Sequence, residues 1–393
     1  MRSEAPRGHP HPAPDPIYLD YNATTPVDPR VIRASLPYLG EYFGNPSSSH
    51  AYGSAPRDAI AAARSSAAAV LQCTPREIVF TGGGSDGDTL AIRGAALARR
   101  HRGRHIITQQ TEHPAVLAVY ESLRRLHGFR ITELPVDRHG LVAPAALAAE
   151  LAEDTVLVSI MHANNETGTI QPIAELTAVA HEHGALMHTD ASQSLGKIPC
   201  SVRGLGVDLA TVTGHKIHAP KGVGALFVRE GLVLEPAVYG GGQEGGLRGG
   251  TENVASIVAL GEACRLLTDP ELVDNGRLAR LRDLLQSRLT RHLGDRVRLN
   301  GHPTLRLPNT LNISIEGTSG SELLASTPSV AASTGSACHE GDVTPSVVLS
   351  AMGVPKEQAL AALRLTLGRW TTTDEVEQAA EALAKSVSRA DCT

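Results

Sequence analysis

A lysine and two histidines follow a short apolar run in the sequence LATVTGHKIHAPKGVGALF (209–227). The run is typical of a buried strand, and Thr213, His215 and Lys216 come directly after it. A lysine held at the end of a buried strand can act as a nucleophile. The same residues could also form a solvated loop, so the chemical interpretation of Lys216 depends on partners elsewhere in the chain.

Two other segments that follow apolar runs offer an acid and a phosphate-binding turn. Asp190 ends ALMHTD, and Gly84 and Ser85 lie in FTGGGSDGDTLAIRG, which leads from a predicted strand into a helix. The free N–H groups at a helix N-terminus favour a phosphate. Pyridoxal phosphate needs a lysine, an acidic partner for its ring nitrogen and a phosphate cup, which Lys216, Asp190 and this turn could supply. Asp190 could equally cap a helix, and the glycines could form a plain tight turn.

Three further residues have surroundings that suit chemistry. His113, in TEHPAV, lies at a predicted strand-to-helix junction, where it could stack on a ring or be an ordinary loop histidine. Cys338, in STGSACHEGDVTPSVVL, has loop character and a neighbouring His339 that could help form a thiolate, so we predict a reactive cysteine. Arg364 lies in the apolar segment LRLTL, where it could bind a substrate carboxylate or form an internal salt bridge.

The elements that must position these residues alternate between short apolar runs and amphipathic segments. Continuous apolar runs are typical of strands covered on both faces, so the alternation predicts a mostly parallel α/β sheet. Because ligands bind beyond the carboxyl ends of such strands, His113, Asp190 and Lys216 should converge. The predicted strands are 77–81, 105–108, 129–134, 155–161, 185–190, 208–213 and 224–229.

The pattern changes after residue 260, where a long helix rich in arginine and leucine precedes the strands RVRLN, TLNISI, VAAST and LRLTL and a closing helix. We predict a large cofactor-binding domain over 26–265 and a small α+β domain from 17–25 and 266–393, with a proline-rich disordered leader over 1–16. The glycine-rich stretch 240–253 favours a surface loop, with Thr251 capping the helix that follows.

Composition argues against several functional classes. The chain has 393 residues, a formal net charge of −5 and no long basic run, so we expect no direct nucleic-acid or membrane partner. Its five cysteines are scattered and show no CxxC spacing, which argues against a disulfide framework or a metal site. A reducing cytoplasm fits this cysteine usage.

Together these motifs resemble the NifS/IscS-type cysteine desulfurases of the class V aminotransferase family, which are pyridoxal-phosphate enzymes of fold type I. The similarity runs from YLDYNATTPVDP to LGRWTTTDEV and includes GNPSSSH, EHPAV, HANNETGTIQPI, HTDASQSLGKIP, TGHKIHAPKGVGALF, RGGTEN and STGSACHEG. It implies an α/β fold with a mostly parallel sheet flanked by helices, a smaller α+β C-terminal domain, pyridoxal 5′-phosphate as cofactor and a homodimer.

The resemblance also implies residue roles. Lys216 would bind the cofactor covalently and remove the Cα proton of L-cysteine, with His113 stacked on the ring. Cys338 would accept the sulfur as a persulfide, leaving alanine, and pass it to an acceptor protein for iron–sulfur clusters, DNA phosphorothioation or other thiolation. The remaining implied residues are Gly84, Ser85, Asn165, Asp190, Gln193, Thr213, His215 and the partner subunit's Thr251 for the cofactor, and Asn22 and Arg364 for the substrate.

The chain departs from the family pattern in its phosphate cup and beside its cysteine. Where relatives have patterns such as TESNN, this sequence has Ser85-Asp86-Gly87-Asp88, and we expect Asp88 to bring negative charge near the phosphate. His339 follows the cysteine as in selenocysteine lyases, so that activity is a competing hypothesis. Two more are an aminotransferase of the same fold and a catalytically degenerate scaffold protein.

Overall fold

A computed structural model describes residues 15–335, 337–339 and 342–390. The predicted leader lies almost wholly outside these residues. Within the described part of the chain, no helix combines the length and the apolar character needed to cross a membrane.

Seven strands form the central sheet, in the order β2-β8-β7-β6-β5-β3-β4. They are β2 (Ile78–Thr81), β3 (His105–Gln109), β4 (Arg130–Leu134), β5 (Thr155–Ser159), β6 (Leu186–Asp190), β7 (Leu209–Thr213) and β8 (Gly224–Val228). Strand β8 runs antiparallel to both of its neighbours, and all other neighbouring pairs are parallel. The predicted mostly parallel α/β sheet is confirmed, and each strand lies within two residues of its predicted bounds.

Helices cover both faces of this sheet. They are α1 (Pro29–Ser35), α2 (Ala51–Leu71), α3 (Gly84–Arg99), α4 (Pro114–His127), α5 (Pro144–Glu150), α6 (Ile173–Glu182), α7 (Val202–Leu205) and α8 (Val254–Leu267). Successive strand residues face opposite layers: Ile106 packs in the core formed with α3 and α4, whereas Ile107 packs in the core formed with α2, α6 and α8. This two-sided burial explains why the strands are continuously apolar.

The C-terminal part has its own antiparallel sheet, β9 (Val297–Leu299), β10 (Thr310–Ile315) and β14 (Ala362–Thr366), with a core shared with α9 (Asn275–Leu293) and α13 (Thr373–Ala390). Leu19 packs in the same core, and β1 (Ile17–Tyr18) pairs with β11 (Val330–Ala331). Further elements are α10 (Gly320–Ala325), the hairpin β12 (Ala337–His339) and β13 (Asp342–Thr344), α11 (Val347–Ala351) and α12 (Lys356–Leu360). The domain boundaries stay a prediction.

The glycine-rich stretch 240–253 lies at the surface, as expected, and is anchored to the sheet by one side chain. The Glu244 carboxylate accepts hydrogen bonds from Arg64 at 2.6 and 2.7 Å and from the backbone N–H of Phe80 at 2.8 Å. The cap of α8 is corrected: Asn253 accepts from a first-turn N–H, whereas Thr251 is exposed and lies two residues earlier. Asparagine is among the best N-cap residues, so the helix begins after it.

Candidate active site

Three predicted site residues meet at the carboxyl edge of the central sheet. Asp190 ends β6, and Lys216 closes a single 3₁₀ turn after the neighbouring β7. His113 caps α4 just after β3, with its Nδ1 accepting from Ala115 N at 3.2 Å. Burial lowers the pKa of His113, while the Asp190 carboxylate raises it and Lys216 lowers it further. The acid, the amine and the imidazole therefore lie at one edge of the sheet, close enough for their charges to interact, as the topology predicts.

Lys216 has the environment of a reactive amine. Its Nζ donates to the carbonyl oxygen of Ala23 at 2.7 Å and to that of Asn22. Burial lowers the pKa of Lys216 to about 8, with a further lowering by Arg364 that Asp190 and Asp20 oppose. A lysine with this pKa is partly neutral near physiological pH, so its nitrogen can act as a nucleophile and a base.

The predicted phosphate cup forms where α3 begins. The backbone of Gly84 lies against the end of β7, because a Cβ on Gly84 would be 3.6 Å from the Cβ of Thr213. Ser85 is exposed in the first turn of α3. His215 contacts Thr24 Oγ1 through Nδ1 at 3.1 Å, and burial lowers its pKa to about 4, so the ring is neutral. Helix N–H groups, two hydroxyls and an imidazole are thus available to an anion.

Asp88 does not lie where the sequence interpretation expected it. It is buried on the side of α3 that faces the sheet, with Oδ1 3.7 Å from Nε2 of the buried His188. Burial, and next the charge of Asp190, raise the pKa of Asp88 well above its ordinary value. The expectation that Asp88 adds negative charge near the phosphate is wrong, because the carboxyl is packed inside and its neutral form is favoured.

Asn22 joins the two parts of the chain instead of facing open space. It is 1% exposed, and its Nδ2 donates to Asn165 O at 3.2 Å and to Thr310 Oγ1 at 2.9 Å. Its Oδ1 accepts from Asn309 Nδ2 at 3.0 Å and from Lys197 Nζ at 3.3 Å. These neighbours engage the amide of Asn22, and its predicted substrate contact stays a prediction.

Arg364 forms the internal salt bridge that the sequence allowed, and its predicted contact with a substrate carboxylate stays a prediction. Its Nη2 pairs with Asp20 Oδ1 at 2.8 Å, and its Nη1 lies 3.4 Å from the carbonyl oxygen of Asn165. The guanidinium also lines a cavity of about 400 Å³ together with Glu166 and Ser333. Its Nε is buried and finds no hydrogen-bond acceptor among the described residues. A carboxylate in this cavity would supply one.

Cys338 lies in a strand of a two-stranded hairpin, opposite Val343, rather than in the irregular loop expected from its neighbours. Both ends of the hairpin segment touch Glu166. The Ser346 hydroxyl donates to Glu166 Oε2 at 2.5 Å, and Gly335, at φ +72°, lies so close that a Cβ would clash with the same oxygen. Since Glu166 also lines the cavity of Arg364, the cysteine-bearing segment is attached beside that cavity.

The other thiols in the described part of the chain have different surroundings. Burial raises the pKa of Cys73, Cys200 and Cys264 to about 12 in each case. These thiols stay protonated at neutral pH and are poor nucleophiles.

The sequence interpretation missed Lys197, which contacts the predicted cofactor residue Gln193. Gln193, a predicted cofactor residue, donates from Nε2 to the carbonyl oxygen of Asn22 at 2.9 Å and accepts at Oε1 from Lys197 at 2.9 Å. Lys197 lies in HTDASQSLGKIP, a stretch of small and apolar residues that carries no other cation after Gln193. A single lysine among small and apolar residues was the sequence feature that could have indicated a half-buried lysine.

Comparison with known proteins identifies the family of this chain. The Aminotransferase class-V family profile matches residues 17–379. The cysteine desulfurase IscS of Methanosarcina thermophila is 44% identical over 375 residues, covering 95% of this chain and 92% of its own. Among solved structures, a NifS-like protein superposes with a TM-score of 0.86 at 36% identity, over 95% of this chain and 99% of its own. A structure of SspA in complex with cysteine has a TM-score of 0.80 at 34% identity, over 90% and 99%. The chain belongs to the class-V aminotransferase family and, within it, to the NifS/IscS-type cysteine desulfurases.

Proposed function

We propose that this protein is a pyridoxal-phosphate-dependent cysteine desulfurase that moves the sulfur of L-cysteine onto Cys338. The observation that carries this proposal is the meeting of Lys216, Asp190 and His113 at one edge of the sheet. The relatives named cysteine desulfurase, and the SspA structure that holds cysteine, support the choice of substrate.

The residues present fit pyridoxal phosphate by their chemistry. Lys216 offers an amine with a lowered pKa, Asp190 a carboxylate for a protonated ring nitrogen, and His113 a flat ring beside them. The start of α3 at Gly84 and Ser85, with Thr213 and His215, would hold the phosphate, and Asn165 and Gln193 would contact the ring side. When bound, the cofactor supplies an electron sink for the charge that develops at the substrate Cα.

The chain's own residues account for substrate binding and proton transfer. Arg364 would bind the cysteine carboxylate, because its Nε lacks an acceptor among the described residues and its Asp20 partner keeps the guanidinium oriented. The neutral Nζ of Lys216 would take the proton from the substrate Cα and return it later.

The sulfur transfer balances without an external oxidant. The Cys338 sulfur attacks the sulfur of the substrate, one S–S bond forms and the substrate Cβ–S bond breaks. The substrate carbon takes up a proton, so one thiol and one cysteine give a persulfide and alanine. The persulfide sulfur then passes to an acceptor protein or to an added thiol reductant.

A homodimer fits the surface of the chain. Between residues 36 and 52, Leu36, Leu39, Phe43 and Tyr52 are between 54% and 72% exposed. Exposed apolar side chains clustered in this way mark a contact surface. A second subunit would cover them, and the exposed Thr251 would then reach the partner's phosphate cup. Sedimentation velocity measures the oligomeric state of the wild type and of Phe43→Asp. We expect the wild type to sediment as a dimer and Phe43→Asp to sediment as a monomer.

The test of the function is a cysteine assay that quantifies alanine, followed by mass spectrometry of the peptide that carries Cys338. We expect alanine formation and an added mass of one sulfur on that peptide. Cys338→Ser should abolish both, whereas the matched variant Cys73→Ser, whose thiol has a pKa raised to about 12, should keep both.

The same assay distinguishes the competing functions. Alanine formed from selenocysteine but not from cysteine would identify a selenocysteine lyase. Turnover that survives in Cys338→Ser would identify an aminotransferase, and absence of cofactor absorbance after adding pyridoxal phosphate would favour a scaffold protein.

A further inference from the structure

Lys197 is a half-buried amine beside the site whose hydrogen-bond partners among the described residues are neutral. Its Nζ donates to Gln193 Oε1 at 2.9 Å and to Asn22 Oδ1 at 3.3 Å. In the described ranges of the chain, no carboxylate lies within ion-pair distance of this amine. Lys197 borders a cavity of about 600 Å³ that Lys216 also lines. Removing an ammonium group from water without a carboxylate partner costs stability.

The amine determines which way the amide of Gln193 points. In its charged form the amine only donates, so that form requires the oxygen of the amide to face it. The Nε2 of Gln193 must then point away from Lys197, and there it donates one of its two hydrogens to the Asn22 carbonyl. The second hydrogen is left for another acceptor. Without Lys197, only the Asn22 carbonyl would still hold the amide in this orientation, so the reversed amide becomes easier to form.

We propose that Lys197 is a positioning residue that holds the Gln193 amide with its Nε2 donor facing the ring oxygen of bound pyridoxal phosphate. This inference rests on the proposed function, in which Gln193 contacts the ring side of the cofactor. A donor at that oxygen, with a cation behind it, stabilises negative charge there. The opposite amide orientation would present an acceptor and destabilise it.

The electrostatic surroundings of Lys197 are defined. The charged and titratable groups that interact with it are Lys216, Arg364, the Cys200 thiol and His218. Burial lowers its pKa to about 7, with Lys216 and Arg364 adding to the lowering. Lys197 keeps a substantial charged fraction at neutral pH, and the amine donates in both of its states.

The main variant is Lys197→Met, which keeps the length of the side chain and removes the donor. Two quantities are measured without cysteine: the dissociation constant for pyridoxal phosphate, and the pH midpoint of the absorbance change of the bound cofactor. We expect the dissociation constant to rise about tenfold, as for the loss of one hydrogen bond to a charged group. The pH midpoint should move upward, because removing a donor and a cation raises the proton affinity of the groups beside them.

Three further variants make the result specific. Lys356→Met applies the same change at an exposed lysine and should alter neither quantity. Lys197→Arg keeps a cationic donor, and the adjoining cavity has room for the longer side chain. Its pH midpoint should therefore stay close to that of the wild type. In a Gln193→Ala background, Lys197→Met should have little further effect, because the group that it positions is gone.

The possible outcomes separate this inference from the function itself. If the wild type binds no pyridoxal phosphate, both are overturned. If it binds the cofactor but Lys197→Met leaves affinity and pH midpoint unchanged, only the inference fails. It also fails if Lys197→Met has the same effect in the Gln193→Ala background as in the wild type, or if Lys197→Arg moves the midpoint as far as methionine does.

Discussion

A close approach between α3 and the central sheet predicts that Gly87→Ala destabilises the protein. A Cβ on Gly87 would be 2.8 Å from Thr211 Cγ2, so the helix or the threonine must shift. Overpacking of this kind costs about 1–3 kcal/mol, whereas alanine is about 1 kcal/mol better than glycine inside a helix. We therefore expect the free energy of unfolding to fall by about 1 kcal/mol.

Thr211→Ser is the matched partner for this substitution. It removes Cγ2 but keeps the hydroxyl that lies 3.0 Å from His188 Nε2. Loss of one buried methyl group should itself cost about 1 kcal/mol. In the Thr211→Ser background the close contact is absent, so Gly87→Ala should instead stabilise the protein by about 1 kcal/mol through helix propensity. Urea unfolding of the wild type, the two single variants and the double variant measures the effect of Gly87→Ala in each background.

The sign change is the decisive result. An effect of Gly87→Ala with the same sign in both backgrounds would refute the steric argument. A second readout follows from Ser85, which lies in the first turn of the same helix. If the helix shifts, Gly87→Ala should weaken binding of pyridoxal phosphate, and Thr211→Ser should restore it.

Three other changes have defined outcomes. Asn253→Ala should lower the unfolding free energy by about 1 kcal/mol through loss of the α8 cap, and Thr251→Ala should leave it unchanged, measured by thermal unfolding of both. Glu244→Gln should cost about 2 kcal/mol in urea unfolding, because Arg64 loses its charged partner; an unchanged midpoint would contradict this. Burial lowers the pKa of His188 to about 3, so the unfolded chain binds the extra proton below about pH 6.5 and stability falls on acidification. His188→Gln should remove about 1.4 kcal/mol per pH unit of that slope.

The central sheet could be predicted because strands that are buried on both faces have mostly apolar sequences. Strands β5 and β7 are buried along their whole length, so they appear as unbroken apolar runs. The convergence of His113, Asp190 and Lys216 then followed from topology alone.

The errors concern features that a local pattern does not fix. Asp88 was expected beside the phosphate because it follows Ser85 closely along the chain. The helical period predicts otherwise: Asp88 precedes the buried Ala91 and Ile92 by three and four residues, so it lies on the inner face of α3. Lys197 was overlooked because lysines are almost always exposed. The contacts of Asn22 could not be predicted, since they depend on residues that only the folded structure brings together.

The pairing of β1 with β11 has a consequence for biosynthesis. Ile17 is opposite Val330, and Asn22 N donates to Thr366 Oγ1 across 344 residues of sequence. At a ribosomal rate of about 5–20 residues per second, the segment that carries Asn22 waits roughly 20 to 70 s for these partners to be made. The contacts around Asn22 that hold this end of the pocket can therefore form only after the segment that carries Thr366 has been made.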